Sequence, residues 1–420
     1  MLGNGNSIES VPGIISPEAA STYLECLQRR WGKVVGRCLQ VFSEACSHAG
    51  TQGPTTSDAR RLSSIWPGLA PVLDSIQTEE LQFGVLAERL RASQTLLRSR
   101  FGFRLPVSDI ESTSMGHHSF RDEALILQDA MGARVVYKPR PLVNASCWYR
   151  FLKDITREIE ITNLAIDVQV ADCGQYGWMQ HLPPLGPAST VLACRSLGTL
   201  ICLASLAGVQ DGHAQNVRTL DGLPALVDLE IVLAPSLSRA VDWRPVETSL
   251  LTCVDSMNAG PSAPTTGLQS RVGSHIIEGY RYSYDQIRKS RRAALGIAAA
   301  SLTDCDPRIV VRPTKFYRAL LEASLNPTRM SSIGSRDRFL EKHLRAAPSV
   351  ATQWPTHDQE LHSLKSLRIP RMRESQLQAK NVLPPQGSGI EALSARLDSM
   401  SDAELSKDIR SIQERLACAS

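Results

Sequence analysis

Between Ser189 and about Ala207 the chain carries a long apolar helix whose composition suits the buried centre of a helical lobe. That one segment constrains the fold more than any other, because a helix of this kind needs neighbours on most of its sides. It is not a membrane span. The longest apolar stretch, Leu197 to Val209, is interrupted by Gly and Ser and is shorter than the roughly 20 residues that cross a bilayer. Met1 to Pro17 lacks a basic start followed by an apolar run, so no secretory signal is expected and the reading is cytoplasmic. The ten cysteines are scattered, form no CxxC or Cys-His pair, and are read as small buried hydrophobes of a reducing compartment. With 46 Lys and Arg against 42 Asp and Glu, the formal charge of +4 is too weak a field to argue for nucleic acid or an anionic membrane as a partner.

The rest of the 420 residues fall around that helix. Ala19 to Ser47 and Thr78 to Arg98 repeat apolar residues at three and four, which predicts a helical preface with a loop over His48 to Asp58. At Ala124 the period changes: Ala124 to Gln128 and Arg134 to Lys138 read as two strands around a tight turn containing Gly132. Trp148 to Glu160 reads as helix, Ile161 to Cys173 as extended, and Tyr176 to His181 as a short strand. After the apolar helix come a polar loop, Gly208 to Arg218, and a β-rich run, Pro224 to Val232. Met257 to Arg271 and Leu383 to Gly389 read as loop and link. A final helix is marked by a Ser401/Glu404 capping box and a stripe of Leu405, Ile409, Ile412 and Leu416.

Chemistry concentrates in three places: a strand ending on Lys138, a loop with Asp211, His213 and Asn216, and a run in which Asp228 and Glu230 interrupt apolar residues. Phosphoryl transfer uses such parts in such an order, with a lysine for phosphate oxygens, an aspartate for the attacking hydroxyl, and an asparagine and a second aspartate for magnesium. The Asp-Leu-Glu is the least ordinary of them, since ionised carboxylates are costly to bury without partners. There is no Gly-rich phosphate loop near the first strand, so an ordinary protein kinase is disfavoured.

Tyr137-Lys138-Pro139-Arg140, Tyr176-Gly177-Trp178, Asp211-Gly-His213-Ala-Gln-Asn216, Pro224-Ala-Leu-Val-Asp228-Leu-Glu230 and Arg308-Ile-Val-Val-Arg312-Pro-Thr314 occur in that order, followed by a segment around an Ile-Pro in Glu360 to Pro370. This series resembles the dehydratase domain of class II (LanM-type) lanthipeptide synthetases over roughly residues 105 to 418. The resemblance implies a mainly helical α+β, lipid-kinase-like fold in two lobes: a helical extension over 1–105, a small β N-lobe over 106–185 and a helical C-lobe over 186–420. It implies that Ser and Thr of a precursor peptide, with a leader and a Ser/Thr-rich core, are phosphorylated with ATP and magnesium and then lose phosphate to give dehydroalanine or dehydrobutyrine.

Carried over by position, Lys138 meets phosphate, Asp211 and His213 serve the phosphorylation loop, and Asn216 and Asp228 hold metal with Glu230 in support. Arg308 and Thr314 match positions tied to elimination. Arg140 and Arg312 are second phosphate ligands or structural ion-pair partners. His118 falls at the histidine of the family's Asp-x-His motif, while Gly116 stands where the aspartate is expected, with His117 or Asp122 as substitutes. The family's zinc-dependent cyclase has no counterpart here, so no zinc is expected and ring closure is assigned to a separate cyclase or other modifying enzyme. Two other readings follow from Gly116 and from the kinase-like parts: an impaired module that binds a peptide or partner, and a kinase without elimination activity.

Overall fold

The structure is a computed structural model that describes residues 12–48, 59–113, 123–162, 164–186, 190–233, 245–254, 267–347, 356–378 and 389–418. The fold is mixed α+β and mainly helical, with small antiparallel sheets. In chain order the helices α1 (Pro17–His48), α2 (Ala59–Ile65), α3 (Ala70–Ala92) and α4 (Gln94–Phe101) lead into strands β1 (Val107–Ser112), β2 (Leu125–Asp129) and β3 (Arg134–Lys138). Then come α5 (Val143–Ile159), β4 (Val170–Asp172), β5 (Gly177–Gln180), α6 (Val191–Leu206), β6 (Val217–Leu220) and β7 (Leu223–Leu226). The chain continues through α7 (Gly267–Lys289), α8 (Arg291–Leu302), β8 (Arg308–Ile309), α9 (Thr314–Ser324), α10 (Ile333–Ala346) and α11 (His357–Lys365). It ends with β9 (Met372–Arg373), α12 (Glu374–Gln378), α13 (Gly389–Ser399) and α14 (Asp402–Cys418).

Two compact units divide the chain: Met1–Arg140 with Val310–Arg371, and Pro141–Ile309 with Met372–Ser420. In the first, β1, β2 and β3 form an antiparallel meander. Its hairpin turn is organised by Asp129, whose Oδ1 accepts the Met131 and Ala133 amides at 2.9 Å while Oδ2 accepts the Arg104 amide at 2.8 Å. A buried carboxylate with three backbone donors is well satisfied, which is why Asp is suited to this turn. The same unit holds α9, α10 and α11 around a core of Tyr317, Leu320, Leu321, Leu340, Leu344 and Leu364. The buried Arg336 donates to the carbonyls of Leu364 and Lys365, closing the end of α11 where helix carbonyls lack internal partners.

In the second unit α6 is buried along nearly its whole length, as its composition predicts. Thr190 caps it by accepting the Ala193 amide at 3.2 Å. It crosses α7 at backbone contact: a Cβ on Gly198 would stand 1.9 Å from the Ile276 carbonyl oxygen, and one on Gly279 would stand 2.0 Å from that of Arg195. Only glycine permits this approach. Thr199 and Ser283 share a hydrogen bond beside the crossing at 3.0 Å. Helix α5 packs against α8.

Four expectations change. The strand expected over Pro224 to Val232 ends at Leu226, because its partner β6 starts only at Val217, the residue paired with Leu226. Strand β1 was not expected at all. Of Met257 to Arg271, expected as loop, residues from Gly267 belong to α7 and 257–266 lie outside the described residues, as do 383–388 of the expected link. The capping box on α14 is half formed: the Glu404 amide donates to Ser401 Oγ at 3.3 Å, but the Ser401 amide donates to Tyr284 Oη at 3.0 Å while the Glu404 carboxylate pairs with Arg396. A tertiary partner has taken the place of the local one.

Candidate functional site

The polar loop after α6 is fixed by its backbone. The Gln210 amide donates to the Ile231 carbonyl at 3.3 Å, the Gly212 amide to the Thr248 carbonyl at 2.9 Å and the Ala214 amide to Thr252 Oγ1 at 3.1 Å. Gly212 is required by proximity, since a Cβ there would lie 2.7 Å from the Thr248 oxygen. Its neighbour Asp211 adopts φ +66°, a left-handed conformation that Asp tolerates better than most side chains. The Asp211 side chain is 57 % exposed, and its Oδ1 lies 3.6 Å from His213 Nε2.

Asn216 ties the loop to itself. Its Nδ2 donates to the Asp211 carbonyl at 2.8 Å and lies 3.3 Å from His213 Nε2, while its carbonyl accepts the Val227 amide at 2.9 Å. With the amide nitrogen used in this way, Oδ1 is the atom of the side chain suited to a cation. The segment after β7 then carries Asp228, partly buried, and Glu230. The Glu230 carbonyl accepts the Arg308 amide at 2.8 Å, and Glu230 Oε2 accepts Arg308 Nη1 at 2.8 Å, the two side chains being 15 % and 13 % exposed. Arg308 Nε is buried with no hydrogen-bond partner among the described residues.

The charges of Asp228, Glu230 and Arg308 all reach Asp211. The Asp211 carboxyl is raised above its ordinary range, first by loss of water around it and then by the negative charges of Asp228 and Glu230, against the opposing pull of His213 and Arg308. A cation beside Asp211 would favour its ionised form. Oxygen donors of this kind suit a hard ion such as magnesium, which uses one or two carboxylates and completes its shell with phosphate and water. No three or more His, Cys, Asp and Glu among the described residues are grouped so as to hold a metal by themselves.

The second unit thus brings together Asp211, His213, Asn216, Asp228, Glu230 and Arg308. Lys138, Arg140, Arg312 and Thr314 belong to the first. Lys138 is buried at the end of β3, and Thr314 opens α9, partly exposed. Arg312 takes the structural alternative: its Nε donates to the buried Glu360 at 2.8 Å, and the side chains are 6 % and 1 % exposed. His118, with Gly116, His117 and Asp122, lies outside the described residues.

Asn144 was missed. This buried side chain in the first turn of α5 donates to the carbonyls of Glu230 and Asp306 at 3.0 and 3.1 Å and accepts the Asp306 amide at 2.8 Å. It clamps the two segments that carry Glu230 and Arg308. No local pattern marks it, because both partners are remote in sequence. Among the described residues no helix is long and apolar enough to cross a membrane.

No curated protein matches the chain. Residues 66–260 and 269–374, more than two thirds of its length, match the model of the family described as Domain of unknown function (DUF4135), a domain found in lanthipeptide-synthetase-like proteins. The chain is a member of that family.

Proposed function

We propose that this chain is a cytoplasmic peptide dehydratase of the LanM type, which phosphorylates Ser and Thr of a ribosomal precursor peptide with ATP and then eliminates phosphate to leave dehydroalanine or dehydrobutyrine. The observation that carries the reading is the gathering of the Asp211–Asn216 loop, the Asp228–Glu230 segment and Arg308 in one unit, with Asp211 under the influence of Asp228, Glu230 and Arg308. Membership in a family found in lanthipeptide-synthetase-like proteins supports it.

In this reading Asp211 orients the substrate hydroxyl and takes its proton, a role helped by a carboxyl whose affinity for protons is already raised. His213, beside it, shares that proton. Asn216 and Asp228 would hold magnesium, and Glu230 would hold Arg308. When bound, magnesium supplies the positive charge that screens the phosphates of ATP. Hydroxide is a poor leaving group, so phosphorylation is what makes departure from the side chain feasible. Arg308, anchored through Nη1, brings its guanidinium charge to the phosphate that leaves as a base removes the α-proton. For Lys138, Arg140, Thr314 and His118 the assignment stands on the resemblance alone.

Incubation with ATP, magnesium and the precursor peptide encoded nearby tests this. Mass spectrometry should show loss of one water per modified Ser or Thr, and Asp228→Asn should leave the peptide unmodified. Phosphate addition without water loss in the unaltered protein would make it a kinase, and no modification of any kind would sink the proposal.

A further inference from the structure

Helix α5 reaches the candidate site at both ends of one short stretch of chain. Tyr149, buried on α5, donates its hydroxyl to the Leu226 carbonyl at 2.5 Å, where β7 ends. Asn144, earlier on the same helix, donates to the carbonyls of Glu230 and Asp306 at 3.0 and 3.1 Å. Asp228 lies between those anchors. Helix geometry fixes the rise from Asn144 to Tyr149 at about 7.5 Å. Burial pushes the Tyr149 phenol far above its ordinary range, so the hydroxyl keeps its proton and remains a donor.

The two anchors serve different halves of the site. At the Leu226 end, the ladder of β6 and β7 pairs Val217 with Leu226, and the Val227 amide donates to the Asn216 carbonyl at 2.9 Å, so Asp228 follows the Asp211–Asn216 loop. At the Glu230 end, the Arg308 amide and Nη1 both donate to Glu230 at 2.8 Å, so Arg308 follows the segment that Asn144 holds. Helix α5 is itself fixed: the Leu142 amide at its start donates to Asp172 Oδ1 at 2.7 Å, and Arg150 donates to the Ser301 carbonyl at 2.8 Å. A rigid rod with one hydrogen-bonded handle on each half sets the distance between them.

We infer that Tyr149 and Asn144 are positioning residues, through which α5 holds Arg308 at a set distance from Asp211 and Asp228. Their assignment to a step of the reaction rests on the dehydratase reading. In that reading the phosphorylating groups are tied to one another through Asn216 and Val227, whereas Arg308, which serves elimination, depends on α5 for its place beside them. Both residues act through others and not on the peptide. A buried carbonyl that loses its donor pulls its segment toward another partner, so losing either handle lets Arg308 shift while the Asp211 loop keeps its own bonds to Thr248 and Thr252.

The test uses the full chain carrying Tyr149→Phe, which removes a single oxygen, or Asn144→Ala. With ATP, magnesium and the precursor peptide encoded nearby, each variant should phosphorylate at close to the unaltered rate yet accumulate phosphopeptide. Elimination from a synthetic phosphorylated form of that peptide should slow by about 10–100-fold, as misplacing a group by about 1 Å can do. A second readout needs no activity. The Arg308 charge lowers the proton affinity of Asp211 more than Glu230 raises it. When both draw away, carboxylate NMR of the protein without nucleotide or divalent ion should show Asp211 titrating higher than in the unaltered chain. An equal fall in both steps, unaltered elimination, or an Asp211 titration that neither substitution raises would overturn the inference. If the unaltered protein modifies no peptide, the dehydratase reading falls and the Asp211 titration alone decides on Tyr149 and Asn144. Should Asn144→Ala fail to fold, Tyr149→Phe carries the test.

Discussion

Arg308 and Arg312 stand four residues apart in one motif, each paired with a glutamate, yet their surroundings differ. Arg312 is enclosed: Glu360 faces it and also accepts from Tyr317 and Thr356, while Arg312 reaches the Ala347 carbonyl as well. Those hydrogen bonds join α9, the end of α10 and α11. The Arg308 side chain donates to Glu230 through Nη1, keeps a buried Nε without a hydrogen-bond partner among the described residues, and acts on Asp211 through its charge. The lesson is that an ion pair whose atoms are all engaged belongs to the fold, whereas one with a donor in reserve beside other charges is suited to a ligand.

The sharpest way to break this contrast is Glu360→Leu, which leaves Arg312 buried without its counter-charge. Loss of about 3–5 kcal/mol of stability is expected, read from urea denaturation, as is usual when one member of a buried pair is removed. A loss no larger than that of a surface pair would mean that Arg312 does not hold its unit together. Arg308→Met should behave in the opposite way. Its stability should fall by only about 1–2 kcal/mol, while phosphopeptide accumulates because elimination slows by roughly 10²–10³. Mass spectrometry distinguishes that outcome from unmodified peptide, which would place Arg308 in the phosphorylation step instead.

The smallest effect concerns Asp211. In protein without nucleotide or divalent ion, carboxylate NMR should show an Asp titrating above the ordinary value of about 3.9, and Asp211→Asn should remove that signal. Folding binds this proton more tightly than unfolding does, so the group's contribution to stability declines as pH rises from about 3.9 through its folded value. Magnesium and nucleotide should lower the titration, because a nearby cation favours the carboxylate. An unchanged titration would argue against a cation beside Asp211.

How far the sequence could have foretold this contrast depends on range. The β2/β3 hairpin was legible because its turn and its β-branched residues act locally, and α6 was legible because its composition requires burial. The Asp211–Asn216 loop stood out as polar residues following an apolar helix. Strand β1 was hidden, since Asp109 and Glu111 break its apolar alternation on the exposed side and its ladder is irregular after Val107. The difference between Arg308 and Arg312 was not legible either: Glu230 is 78 residues from the one and Glu360 48 from the other. Asn144 was beyond reach for the same reason, as its partners lie 86 and 162 residues away.

The crossing of α6 and α7 sets a rule for anyone wishing to make this protein more heat-resistant. Replacing a helical glycine by alanine commonly adds about 0.4–1 kcal/mol by restricting the unfolded chain, and Gly84 and Gly296, with nothing within 4 Å of an added Cβ, are open to it. Gly198 and Gly279 are closed to it, because each methyl would strike a carbonyl oxygen of the opposite helix and drive apart the pair from which the Asp211 loop departs.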